Sequence, residues 1–350
     1  MRKTRLIAML LAVFMLTALF AGCAKTEETK PAESSDGAEA TETEETKEPD
    51  EETKKTEETG ETLEEPESNV ITIVDMTGRE ITLEEPATRI VALTPSDCEI
   101  IYAIGAGDTI VGRGEYCDYP EEVLSVPAVQ SGVNTNLEQI IELEPQVLLM
   151  STMAQSEEQV EALEAAGIKV VVSDAMDIEG VYTAISMIGD LMAKEEEAAA
   201  VISSMENTFT EVSAMAEDLG DKTVYFEVSP LEYGLWTAGS GTFMDEVANM
   251  IGLKNCFADI EGWGEISEEQ VLERNPDYIV TIAMYFGEGP EPIDEILGRK
   301  GWNDLKAIKA DAILNLQNDE LSRPGPRLAD GAKLMFEFIK SLEEALDDAA

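Results

Sequence analysis

Residues 136–150 read NLEQIIELEPQVLLM, and residues 267–281 read SEEQVLERNPDYIVT. At an offset of 131 positions they share Glu138 with Glu269, Gln139 with Gln270, Glu142 with Glu273 and Pro145 with Pro276. Apolar positions match too: Ile140 with Val271, Ile141 with Leu272, Val147 with Tyr278, Leu148 with Ile279 and Leu149 with Val280. Each copy predicts a short helix, a proline stop and a buried strand. Proline cannot continue a helix, and the run that follows is apolar. A helix–strand unit that occurs twice predicts two similar lobes. A cleft between two α/β lobes is where small ligands settle. The alternative is two ordinary amphipathic units matching by chance.

The first 22 residues read as a secretory signal rather than fold. Arg2, Lys3 and Arg5 form a positive start, Leu6 to Phe20 is apolar apart from Thr17, and Ala21-Gly22 precede Cys23. Small residues followed at once by cysteine resemble the lipobox of bacterial lipoproteins, in which the cysteine is lipidated. Phe20 stands three places before Cys23 where that motif usually carries leucine; Leu19 is one place earlier. A single membrane span is the alternative, at the short limit for Leu6 to Gly22. Residues 23–68 are then the lipidated cysteine and a tether. Ala24 to Ser68 holds 18 acidic residues and 5 lysines, with Leu63 as its only large aliphatic side chain. Such a segment cannot bury enough surface to offset its folding entropy, and its charge extends it.

The whole chain carries a net charge of −49. Residues 1–22 contribute +3 and the tether −13, which leaves −39 for residues 69–350. A body that acidic repels nucleic acid and anionic lipid, so nucleic acid is not expected as a partner. The chain has no histidine. That removes Ser-His-Asp catalysis, histidine acid–base chemistry and histidine-rich zinc sites. Cys98, Cys117 and Cys256 lack CxxC spacing, so no metal centre is expected. Cys98 and Cys117 are readable either as a disulfide or as two free buried thiols.

Ile71 to Leu83 reads as a hairpin turning at Thr77-Gly78-Arg79. Arg89 to Leu93 reads as a strand broken by Thr94-Pro95, and Ser96-x-x-Glu99 as a capping box opening the next helix, which stops at Gly105. Thr109 to Val111 is a short strand. Ser156-x-x-Gln159 caps a helix to Ala166, followed by the strand Lys169 to Val172. Val181 to Leu219 is helical in character throughout, and its second part, 194–219, is expected to bridge the lobes. Thr223 to Val228 opens the second lobe. Gly239-Ser240-Gly241 precedes a helix from Phe243 to Met250; it reads as a plain turn, lacking a P-loop lysine and the GxGxxG spacing. Ser267-x-x-Gln270 caps the repeat helix, Tyr278 to Ala283 and Ala312 to Leu316 are strands, and Leu328 to Ala345 is a closing helix. The alternation predicts an α/β fold with mostly parallel sheets. The lobes are expected at 69–193 and 220–350.

The stretches RIVALTPSDCEIIYAIGAGDTIVG, CDYP, NLEQIIELEP, TAGSGTFMDEVANMIGLKN, EQVLERNPDYIV and RPGPR occur in that order. Together they resemble the iron-chelate/vitamin B12 substrate-binding proteins of ABC importers, from about Ile71 to Leu346. The resemblance implies two lobes, each with a mostly parallel central sheet flanked by helices, joined by one long helix. It implies a metal chelate (cobalamin or another corrinoid, an iron-siderophore or haem) held between the lobes and passed to the transmembrane subunits of an ABC permease. No enzyme activity, catalytic residue, metal centre or resident cofactor is expected, since the chain lacks histidine and any nucleophile–base pair. The chain is expected to act as a monomer, outside the cytoplasm, held to the outer face of the cell membrane through lipid on Cys23.

In that family one glutamate near the tip of each lobe pairs with permease arginines, and Glu138 and Glu269 match those positions. Each also falls in a first helical turn, where the helix dipole alone favours a carboxylate. Loops after strands should line the ligand site. They point to Pro95, Ser96, Tyr116 and Tyr119 in the first lobe, and to Trp236, Trp263, Tyr285 and Arg323 in the second. Aromatic faces suit a flat chelate, and arginine suits its carboxylates or phosphates. Around Gln130-Ser131-Gly132 the chain lacks an aromatic residue where the B12 binders lead one to expect it. A surface chelatase or hydrolase on the same scaffold and a structural surface lipoprotein are the competing functions.

Overall fold

Continuous runs of buried residues build two parallel sheets in succession. The computed structural model describes residues 70–132, 134–152, 156–216, 219–283, 285, 289–316 and 319–349. All lie within one compact unit, Glu64–Ala350, and the expected signal, Cys23 and tether lie outside the described residues. The first elements are an antiparallel hairpin of β1 (Ile71–Val74) and β2 (Glu80–Leu83). Asp75 holds its turn, accepting from the Thr77 and Arg79 amides and from the Val172 amide of the neighbouring sheet.

The first lobe follows in the order β3 (Ile90–Ala92), α1 (Pro95–Ala103), β4 (Ile110–Gly114), β5 (Ala128–Val129), α2 (Leu137–Glu142), β6 (Val147–Met150), α3 (Glu157–Ala165), β7 (Lys169–Val172) and α4 (Ile178–Leu191). Its sheet order is β5-β4-β3-β6-β7, every pair parallel. Both faces are covered, as parallel sheets require. Val91, Leu148 and Val170 pack toward Ile140 of α2 and Leu163 of α3. Ile90, Val147, Leu149 and Val171 join the main core on the other face.

The helix α5 (Glu195–Met215) packs on α4 of the first lobe and on α6 (Phe243–Met250) and α10 (Leu328–Ala349) of the second. Its 21 residues give a length of about 30 Å. The expected bridge at 194–219 is therefore a helix at Glu195–Met215, and Ala193, with φ 51°, breaks it from α4.

The second lobe runs β8 (Thr223–Glu227), β9 (Leu235–Ala238), α6 (Phe243–Met250), β10 (Lys254–Asn255), β11 (Trp263–Ile266), α7 (Glu268–Arg274), β12 (Tyr278–Thr281), α8 (Pro292–Gly298), α9 (Lys306–Lys309), β13 (Ile313–Asn315) and α10 (Leu328–Ala349). Its parallel sheet has the order β10-β8-β12-β13. That is the order β4-β3-β6-β7 of the first lobe over again. The repeated segments occupy equivalent places: α2 leads into β6 and α7 into β12. Local chemistry explains their starts. Asn136 accepts from the Gln139 amide, and Ser267 with Gln270 forms a complete capping box.

One expected helix start differs. Ser96 and Glu99 form no capping box; α1 begins at Pro95 after Thr94, which makes no side-chain cap. Proline at the first helical position has a preset φ and no amide to leave unpaired. The Glu99 side chain is drawn elsewhere, to the second lobe.

Candidate functional site: the interlobe cleft

Residues just past the carboxyl ends of the strands carry the contacts between lobes. Beyond β7, Met176 accepts from the Phe243 amide at 2.9 Å, and the Ile178 amide donates to Glu246 Oε2 at 2.7 Å. Glu246 thus satisfies an orphan amide at the start of α4 from the opposite lobe. Beyond β3, Gly325 lies over Ser96; a Cβ added at Gly325 would meet Ser96 Cβ at 3.6 Å. The carboxyl ends of the two sheets therefore face each other, the position where open α/β sheets receive ligands.

A charged clamp closes one end of the cleft. Glu99 of α1, its side chain 2% exposed, accepts from Arg323 Nη1 at 3.0 Å and from Arg327 at 2.9 and 2.7 Å. Arg323 also pairs with Asp118 at 2.8 Å and Asp319 at 2.6 Å, and donates to the Tyr116 carbonyl at 3.3 Å. The Arg327 guanidinium lies 3.9 Å from the centre of the Tyr119 ring, a cation–π contact. Burial works against the charge of both arginines, yet their carboxylate partners hold both pKa values above the ordinary one. Beneath the clamp, Asp97 is wholly buried and faces Thr94 and Ser173 without a hydrogen bond of ordinary geometry. Burial pushes its carboxyl up to about 7, and the Asp174 charge adds to the rise.

The second lobe supplies a pocket of about 450 Å³ at the carboxyl ends of β8 and β12. Its walls include Leu231, Tyr233, Ala283, Tyr285 and Pro292, with Glu227 among its lining residues. Tyr285 is oriented by its hydroxyl, which donates to the Gly289 carbonyl at 3.2 Å. The Ser229 hydroxyl donates to the Gly234 carbonyl at 2.6 Å and accepts from the Trp236 amide at 3.0 Å, shaping the turn that carries Tyr233. The pocket floor is charged, with one guanidinium between two carboxylates. Arg299 Nη1 and Nη2 reach Glu227 at 2.6 and 3.0 Å, Arg299 Nε reaches Glu295 at 3.1 Å, and the guanidinium stacks 4.4 Å from the Trp302 ring. Burial pushes the Glu227 carboxyl up, against the pull of Arg299.

The eight expected ligand residues separate on this geometry. Tyr285 lines the pocket. Tyr116 and Tyr119 are exposed beside the clamp, and Arg323 is engaged within it. Pro95 opens α1, half-buried, and Ser96 is covered by Gly325. Trp263 packs edge-on against Phe243 with ring centroids 5.5 Å apart, so it supports the core. Trp236 sits on β9, 39% exposed and not among the pocket's lining residues. Sequence reasoning passed over Tyr233, Glu227, Arg299 and Arg327. Arg327 lies in the quoted RPGPR stretch, and its two arginines four apart were the available signal. Glu138 and Glu269 are both exposed in the first turns of α2 and α7.

Comparison with known proteins agrees with this architecture. The sequence model of the family described as periplasmic binding protein matches residues 90–320. The uncharacterized ABC transporter substrate-binding lipoprotein YvrC of Bacillus subtilis is 34% identical over 275 residues, 77% of this chain and 85% of its own. The vitamin B12-binding protein of Salmonella typhimurium is 31% identical over 251 residues, 71% of this chain and 88% of its own. Among solved structures, a possible iron-binding periplasmic solute-binding protein from Staphylococcus epidermidis superposes with a TM-score of 0.61 at 30% identity, covering 73% of this chain and 99% of that one. These relatives are binding proteins rather than enzymes, which sets aside a chelatase or hydrolase on the same scaffold. With two parallel-sheet lobes, one bridging helix and a cleft between facing strand ends, the chain belongs to the periplasmic binding protein family.

Proposed function

We propose that the chain is the extracytoplasmic substrate-binding component of an ABC importer, and that it captures a metal chelate of the corrinoid, haem or iron-siderophore class between its lobes. The observation that carries this reading is the pocket walled by Tyr233 and Tyr285 at the carboxyl ends of β8 and β12. Aromatic faces there can stack on a flat or aryl-bearing chelate. The clamp arginines Arg323 and Arg327, which tie the second lobe to Glu99 of the first, can exchange a carboxylate partner for an anionic group on the ligand. The printed names of the relatives, a substrate-binding lipoprotein and a vitamin B12-binding protein, point the same way.

Thermal unfolding of the purified protein with cobalamin, haem and ferric siderophores tests the reading. A ligand at 100 times its dissociation constant adds about 2.7 kcal/mol of stability. Tyr285→Ala should weaken binding of the active chelate about tenfold, the loss of roughly 1.4 kcal/mol of aromatic contact. Absence of any shift across the three chelate classes would exclude it.

Lipid on Cys23 is the proposed means of retention. Cys23→Ser should move the protein from the membrane fraction to the medium or leave its signal uncleaved. A cleaved variant still sedimenting with membranes would exclude lipid as the anchor. Docking on the permease is assigned to Glu138 and Glu269.

A further inference from the structure

Two buried thiols stand behind the clamp, in a place the ligand site does not use. Cys98 in α1 directly precedes Glu99, and Cys117, after β4, directly precedes Asp118. Glu99 and Asp118 are the first-lobe carboxylates that hold Arg323. Cys98 and Cys117 are 0% and 1% exposed, and both are free. Their sulfurs point at one acceptor: Cys98 Sγ lies 3.8 Å and Cys117 Sγ 3.7 Å from the Ala92 carbonyl oxygen. The neighbouring Cys117 thiol, followed by burial, drives the Cys98 thiol upward in pKa.

The backbone brings them together by a close approach. A Cβ at Gly114 would come within 2.3 Å of the Leu93 carbonyl oxygen, so only glycine lets β4 end against β3 there. The Cys117 amide then donates to the Gly114 carbonyl at 3.1 Å, while the Cys98 amide donates to that of Thr94 at 3.3 Å. Both carriers are thus fixed. The two sulfurs therefore converge on one carbonyl oxygen.

We propose that Cys98 and Cys117 form a disulfide as the chain folds, stapling α1 to the segment after β4 and so holding Glu99 and Asp118 together as the seat for Arg323. Each thiol gives up one proton and one electron. The acceptor is a disulfide, either of a thiol–disulfide oxidoreductase or of a small-molecule thiol, which is reduced to two thiols as the S–S bond forms through a mixed disulfide. The oxidising surroundings rest on the extracytoplasmic reading above. The bond forms during folding, while both sulfurs are still accessible, because a buried thiol such as Cys98, its pKa raised, is a poor nucleophile once α1 has packed. Cys256, in the other lobe, is not part of the pair.

The test uses the full chain refolded with oxidised and reduced glutathione, then alkylated and cut with trypsin. Arg113 lies between the two cysteines, so they separate into different peptides unless bridged. The expected product is one cross-linked pair lighter by two hydrogens, unchanged in Cys256→Ser. The oxidised protein should also melt on the order of 5 °C above the same protein reduced, as expected for closing a loop of this length. Full alkylation of both cysteines, pairing of either with Cys256, or equal melting of the two forms would overturn the proposal. Refolding in the tube makes this outcome independent of where the protein resides and of which chelate it binds. The comparison of redox forms of one sequence stands even if Cys117→Ser fails to fold.

Discussion

Arg299→Ala should cost about 3–5 kcal/mol of stability, because it strands a carboxylate in the protein interior. The Arg299 and Glu227 side chains are 2% and 1% exposed, and the pair is joined by two hydrogen bonds at 2.6 and 3.0 Å. The thermal midpoint should fall by roughly 10 °C. The loss has a pH signature. Burial drives the Glu227 carboxyl up, the Glu295 charge adds to the rise, and Arg299 opposes it. An acid whose folded pKa lies above its unfolded one is penalised progressively as pH rises from the unfolded value to the folded one. Without Arg299 that window widens, so the deficit should be larger at pH 8 than at pH 5. Adding Glu227→Gln should restore part of the stability by removing the buried charge while keeping a partner for the Tyr225 hydroxyl, 3.3 Å away. Urea denaturation of both variants at the two pH values measures this. A deficit under about 1 kcal/mol, or one independent of pH, would mean that water reaches Glu227 from the pocket and screens it.

Charge reversal at the lobe tips should abolish delivery and leave capture intact. Glu138→Lys or Glu269→Lys would set a lysine against the permease arginines assigned to these sites, and like charges juxtaposed across an interface cost several kcal/mol. Uptake should fall at least tenfold, which needs only about 1.4 kcal/mol. Both side chains are exposed in first helical turns, so the folded chain should lose only the helix-dipole contribution of about 0.3–1 kcal/mol each. Chelate affinity should not change, since neither residue is among those lining the pocket. Uptake and affinity measured in parallel separate the readings. Normal uptake in both variants would reduce the repeated glutamates to helix-end residues, and a parallel loss of affinity would move them into the ligand site.

Much of the scaffold was legible because it is written in local chemistry. Ser156 and Ser267 cap the helices that their S-x-x-Q spacing predicts, since a cap and its amide lie three residues apart. The helix at Phe243–Met250 begins and ends where its apolar spacing predicts. The same local logic misread Ser96-x-x-Glu99. A glutamate three residues after a serine satisfies a capping pattern, but two arginines more than 220 positions away compete for it and win. The antiparallel pairing of β9 with β11 escaped notice because the strands are separated by α6 and β10, with no tight turn to announce the pairing.

The sequence by itself determined the paired lobes, the bridging helix and the family, because repeated helix–strand units and ordered motifs survive without knowledge of contacts. Only the tertiary structure decided what the chemistry-bearing residues do. It put Tyr285 in the pocket with Tyr233, packed Trp263 edge-on against Phe243, gave Arg323 and Arg327 to Glu99, and aimed Cys98 and Cys117 at the Ala92 carbonyl. Each outcome depends on which strand ends the fold brings face to face. Burial then decides which charges must find partners, and the nearest partner in space is seldom the nearest in sequence.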